Sequence, residues 1–273
     1  MKSVAKYHVP RFRRVEGNEA QPRGSIRIFF ALGCLLCLGR CSAAQSEAKQ
    51  LIDLQEHGGS LVSVNQLRTP RKALKAVQKA QEKLLAGRVS SAEKKIASAL
   101  ALAPDCGLAH DVLGVVLLER GQYQEAVEAF QTAIDQDPTL ASAFIGSGIS
   151  LLLQGRFRDA LRPLDQGEKR LPDSWLAHFE SSIAYLGAGE LDVALHQIVL
   201  AENLSGSDHE KRSGVSFLRA LVHLNRGDRM AARHYLTDAI SRDPDGPYAR
   251  LSKQSLRRVE RISPVDQRPP SPN

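Results

Sequence analysis

Between residues 73 and 246 the apolar positions fall at i, i+3, i+4 and i+7, the spacing that draws one stripe down one face of an α-helix. Leu113, Val116 and Leu117 form one such stripe, and Val127, Phe130 and Ile134 form the next. Short polar turns separate the stripes, so the pattern predicts amphipathic helices in pairs. The pairs recur at a fixed step. Gly87, Gly121, Gly155 and Gly189 stand 34 residues apart, and Ala92, Ala126, Ala160 and Ala194 follow five residues behind them. A constant period of this size predicts stacked helix-turn-helix units, because one pair cannot bury its own stripe and its neighbours can.

With the glycine counted as position 15, the units are 73–106, 107–140, 141–174 and 175–208, and a fifth at 213–246 returns to frame after a four-residue slip. Each recurring place has a physical task. Glycine at position 15 predicts a left-handed residue closing the first helix. Alanine at positions 20 and 27, with Gly167 in the third unit, predicts close approach of helix axes. Pro104, Pro138, Pro172 and Pro244 predict the stop of each second helix. Asp105 and Asp173 are expected as N-caps of the helices that follow, and Thr69-Pro70 as the N-cap and first residue of the first helix.

The second unit carries Leu113-Gly114, then Gly121-Gln122-Tyr123, Ala126, Phe130, Ala133 and Asp137-Pro138. At those offsets it resembles the tetratricopeptide (TPR) repeat, and the resemblance covers 73–246, about two thirds of the chain. Departures stand at position 4, where Ala76, His110, Phe144, His178 and Ser216 replace Trp, and at Gly206, where Pro belongs. The resemblance implies an all-α fold, a right-handed α-solenoid of about five units. Residues 247–262 fit a capping helix with Leu251, Leu256 and Val259 inward, and 263–273, rich in Pro and polar residues, fit a disordered tail. Similar lead-ins and arrays occur in exported bacterial TPR proteins of unassigned function.

The amino-terminal part is different material. An apolar run at 28–39 follows Arg11, Arg13, Arg14, Arg23 and Arg27 and precedes Ser42-Ala43-Ala44. Basic flank, short apolar stretch and small residues predict a signal peptide over 1–44, and hence an exported protein, periplasmic or secreted in a bacterial host. The run falls short of the roughly 20 residues that span a bilayer, so no stable transmembrane span is expected after cleavage. In the 45–72 lead-in, Ser46–Glu56 predicts a short helix with Ala48, Leu51, Ile52 and Leu54 apolar, broken at Gly58-Gly59. Residues 61–67 alternate like a strand.

The leader changes the charge argument. The formal charge of the whole chain is +7. Residues 1–44 hold 8 Lys/Arg against 2 Asp/Glu and 247–273 hold 6 against 2, which leaves 45–246 at −3. A weakly acidic body lacks the footprint for phosphate backbones, so no nucleic acid is expected as partner. Of four cysteines, Cys34, Cys37 and Cys41 lie in the leader, and Cys106 alone has no partner for an internal disulfide. It reads as a small residue in the turn between units.

The catalytic motifs are missing. The chain has no Gly-x-Ser-x-Gly, no phosphate-binding Gly-x4-Gly-Lys-Ser/Thr and no His-Glu-x-x-His. His110 and His178 sit at helix-packing places, so they read as packed histidines rather than metal ligands. No enzyme activity, cofactor or metal is expected.

The resemblance implies that positions 2, 5, 9 and 12 of the first helices point into a concave groove. Position 9 carries Gln81, Val115, Ile149, Ile183 and Leu221. Position 12 carries Leu84, Leu118, Leu152, Leu186 and Leu224, and position 5 carries Val77, Asp111, Ile145, Phe179 and Phe217. This apolar ladder is the expected partner-binding groove. An open strip of this length calls for a cover: a peptide or amphipathic helix of another protein, the chain's own 45–67, or a second copy in a homodimer. Interhelix core is the plain alternative. An envelope-assembly or lipid-handling factor would use the same groove for an acyl chain.

Overall fold

The structure is a computed structural model that describes residues 49–54 and 67–261. It is an all-α solenoid. Five helix pairs follow one another: α1 (Arg71–Leu85) with α2 (Val89–Leu102), α3 (Gly107–Glu119) with α4 (Tyr123–Gln136), α5 (Ala141–Leu153) with α6 (Phe157–Arg170), α7 (Trp175–Ala188) with α8 (Leu191–Leu204), and α9 (His209–Asn225) with α10 (Arg229–Arg242). A last helix, α11 (Pro247–Arg261), packs on α9 and α10. Each first helix touches its own second helix and the first helix of the next pair, so the first helices form one wall and the second helices the other.

The turns explain the period. Gly87, Gly121, Gly155, Gly189 and Gly227 all have positive φ, from 68° to 88°. In each, the glycine N–H and the next residue's N–H reach back to the end of the first helix, as Gly121 N to Leu118 O at 2.9 Å and Gln122 N to Leu117 O at 2.9 Å. That pair of bonds is the Schellman cap, which satisfies carbonyls a helix end leaves open. Gly206, where the fourth unit lacks Pro, also has positive φ at 56°, so a left-handed residue ends α8 in place of a missing N–H.

Small residues set the spacing between walls. All five alanines at position 20 and the residues Ala99, Ala133, Ala201 and Ala239 at position 27 are fully enclosed. A β-carbon on Gly167 would fall 2.6 Å from Ile145 Cγ1, so α5 and α6 meet more closely there than any side chain permits. Second helices bury one stripe only, such as Ala126, Ala129, Phe130 and Ala133 of α4, while Gln124, Glu128, Gln131 and Asp135 face water.

The four-residue slip has a simple form. Helix α9 has 17 residues where α3, α5 and α7 have 13 or 14, and it starts four residues ahead of the frame. Four residues add about one helical turn, so the apolar face keeps its direction. Two capping expectations fail. Asp105 and Asp173 lie one residue too early: the caps are Cys106, which offers no side-chain bond, and Ser174, whose hydroxyl accepts from Ala177 N at 3.2 Å. Likewise Pro70 is itself the cap of α1 rather than its first residue. Leu67, the last residue of the stretch where alternation predicts strand, is helical. The proposed leader, the rest of that stretch and the tail lie outside the described residues.

Candidate partner-binding groove

The first helices bring the ladder together, one rung per pair. Val115, Ile149, Ile183 and Leu221 lie at matching places of α3, α5, α7 and α9. Positions 5 and 12 are enclosed as well, apart from the half-buried Leu224. Ile145 reaches Gly167 on α6, which makes it interhelix core as much as groove wall. Leu118, Leu152 and Leu186 lie 1–3 % exposed.

The rungs are not open to water. Val115, Ile149 and Leu221 are 0 % exposed, Ile183 is 3 %, and Gln81 at the same place of α1 is 6 %. Burial extends around the whole helix in α5, where every residue from Ala141 to Leu152 is enclosed. An isoleucine on the open side of a helix keeps part of its surface wet. The ladder is therefore enclosed along its length, as packing between helices encloses Ile145 against Gly167.

Part of the cover at the carboxyl end is visible. Tyr248, in the first turn of α11, packs edge-on against Phe179 with ring centres 5.8 Å apart and tilts against Phe217 at 6.1 Å. Trp175 stacks on Phe179 at 4.5 Å. Gly214 makes room for this cluster, since a β-carbon there would meet the Tyr248 ring at 2.9 Å. Sequence alone gives Phe179 and Phe217 but not Tyr248, which belongs to no repeat and whose place depends on how α11 folds over.

Apolar residues on the amino-terminal side are buried as well. The segment 49–54 is helical, and its Leu51 and Ile52 are 0 % and 1 % exposed within the same apolar cluster as Val115, Ile149 and Leu221.

Several polar side chains in the walls are hydrogen-bonded across helices. Ser142 donates to Asp111 Oδ2 at 2.5 Å, between α5 and α3. Ser181 donates to Glu168, and the Gln197 amide N–H donates to the other Glu168 oxygen at 3.2 Å. His178 places Nδ1 2.7 Å from Gln197 Oε1 and Nε2 2.8 Å from the Pro172 carbonyl. His110 repeats the second contact, 2.8 Å from the Pro104 carbonyl. In the second and fourth units position 4, Trp in the repeat pattern, is thus a histidine that ties a helix to the turn before it. The arrangement pins helices together. Among the described residues there is no cluster of three or more His, Cys, Asp or Glu able to hold a metal. Cys106 is buried and unbridged.

Tyr185 and Asp238 are displaced from their ordinary ranges. Burial, reinforced by Glu168, Asp165 and Glu190, raises the Tyr185 hydroxyl. At Asp238 burial acts to raise the carboxyl, but bonds from Arg242 and Ser216 outweigh it and hold it below the usual carboxylate range.

No helix among the described residues is long and apolar enough to cross a membrane. Comparison with known families matches tetratricopeptide repeat profiles over residues 77–141 and 217–253, and over 117–178. Solved structures share the fold. YrrB, a TPR protein with an unusual peptide-binding site, is 19 % identical with TM-score 0.55, over 68 % of this chain and 92 % of its own. PilW, a type IV pilus biogenesis factor, is 17 % identical with TM-score 0.58, over 70 % and 91 %. A thermophilic TPR protein of Thermus thermophilus is 20 % identical with TM-score 0.54, over 67 % and 99 %.

Proposed function

The chain belongs to the tetratricopeptide repeat family, and from that premise we propose that it is an exported, non-enzymatic interaction scaffold that receives a peptide or amphipathic helix of another protein on its concave face. The rungs Val115, Ile149, Ile183 and Leu221 form the floor of that seat. The observation that carries the reading is the burial of Leu51 and Ile52, two apolar residues of a short helix, in the same cluster as these rungs. A surface that encloses one apolar helix has the shape and chemistry to take another. YrrB, a TPR protein of similar fold with an unusual peptide-binding site, supports the reading.

The test uses a photo-reactive residue in place of Leu153, half-buried and one turn beyond Ile149 on the same face of α5. The proposed function predicts adducts with an amphipathic segment of another envelope or secreted protein, competed away by that segment as a free peptide. Lipid co-purifying in place of protein would favour an acyl-chain seat. Adducts that no single peptide competes for would overturn the reading.

A further inference from the structure

The segment 49–54 packs into the apolar cluster of the array, and the exposed faces of the helices indicate where. Leu51 and Ile52 are neighbours in sequence and so point about 100° apart around a helix. Both are fully enclosed, at 0 % and 1 %. Gln50 and Leu54 are half-buried, while Lys49 and Asp53 are exposed. A helix with two adjacent aliphatic side chains enclosed and its polar residues exposed is seated against the array by one apolar face.

The other faces are excluded by their exposure. A lead-in stacked on the amino-terminal end of the array would cover Lys75, Gln78, Lys79 and Glu82 of α1. All four are exposed, whereas their counterparts Ala109, Val112 and Val116 on α3, covered by the preceding pair, are enclosed. The outer wall of second helices presents polar residues such as Gln124 and Glu128, which offer nothing to two buried aliphatic side chains. Helix α11 stands at the carboxyl end. The remaining concavity is the groove, whose rungs are enclosed. The chain is long enough to reach it: residues 55–66 span up to about 40 Å when extended, several times the 8–10 Å between packed helices.

We infer that the concave groove is occupied in cis by the helical segment 49–54, with Leu51 and Ile52 seated on the first-helix rungs, and that a partner helix gains the groove by displacing this segment. The inference rests on the groove reading above and adds its resident occupant. It also describes the partner: a short helix presenting two adjacent aliphatic residues flanked by polar ones, the chemistry of 49–54 itself. Because the resident is tethered, it competes at high effective concentration, and a free helix of equal quality binds weakly until the resident leaves.

Two measurements on the full chain decide it. A photo-reactive residue in place of Leu51 gives intramolecular adducts with α3, α5, α7 or α9; adducts confined to α1, to the second helices or to another copy overturn the inference. The second probe is a labelled peptide of residues 46–57, followed by fluorescence anisotropy. Displacement predicts at least tenfold tighter binding to a Leu51→Asp, Ile52→Asp chain than to wild type, with a graded gain in the milder Leu51→Ala chain and unchanged helical circular dichroism in both. Equal binding to all three chains, or none to any, overturns it. The position-51 adducts report the resident and the intermolecular Leu153 adducts report foreign partners, so the two readings fail separately.

Discussion

The ring of Phe130 lies against Gly146 so closely that a β-carbon on residue 146 would stand 2.4 Å from Cζ. On its other side the same ring meets Gly114, where a β-carbon would stand 2.6 Å away. One aromatic side chain of the second unit thus fills the space left by glycines on two successive first helices. The contact joins unit to unit, and a repeat array owes much of its stability to such interfaces. Gly146→Ala is expected to lower stability by about 1–3 kcal/mol, because overpacking forces the ring or a helix to move. Phe130→Ala is expected to cost about 3–5 kcal/mol through the cavity it leaves. Urea unfolding of both variants checks the values, and a Gly146→Ala, Phe130→Leu pair should recover part of the first loss.

At Gly121 the constraint is conformational and not steric. Its φ is +74°, and the atoms nearest an added β-carbon are those of the Tyr123 side chain at 3.9 Å and beyond. Gly121→Ala should therefore cost about 1 kcal/mol from the left-handed backbone alone. A loss above that, measured by thermal unfolding, would mean the turn carries a contact beyond its cap.

Asp238 ties α10 to α9. It accepts from Ser216 at 2.5 Å and from Arg242 at 2.6 Å. Its carboxyl is held below the usual range despite burial, so the folded chain binds that proton less readily than the unfolded chain. The stabilisation is present above the unfolded carboxylate value and fades as pH falls through the folded value. Asp238→Asn should cost about 1–2 kcal/mol near neutral pH. Stability curves of wild type and variant should converge in acid. Parallel curves down to pH 2 would contradict the assignment.

Tyr248 closes the carboxyl end of the groove against Phe179 and Phe217. Tyr248→Ala should loosen α9, α10 and α11 while leaving α3 to α6 protected, since each unit leans on its neighbours only. Hydrogen exchange by mass spectrometry resolves the two regions. Uniform loss of protection along the array would show that the last helix stabilises the whole solenoid.

Most of the fold was legible in the sequence because the repeat states each constraint several times over. Gly87, Gly121, Gly155, Gly189 and Gly227 mark the same left-handed turn, and no single-site propensity competes with five copies. The capping residues were not legible to one residue, since Asp105 and Asp173 are good capping types placed one step ahead of the helix start. The groove was half legible. Period assigns Val115, Ile149, Ile183 and Leu221 to one face, but their enclosure shows only in the packed structure. Tyr248 and Leu51 stand outside the frame that carries the signal, and their seats follow from tertiary folding that a periodic pattern does not encode.

The groove itself is the central claim, and methyl NMR of the isoleucine-labelled Leu51→Asp, Ile52→Asp chain tests it most directly. On adding the 46–57 peptide, the account predicts shifts of the Ile149 and Ile183 methyl signals, with Ile96, enclosed between α1 and α2, and Ile240 on α10 unmoved. Shifts confined to Ile96 or Ile240, with Ile149 and Ile183 unchanged at saturation, would place binding elsewhere and contradict the account.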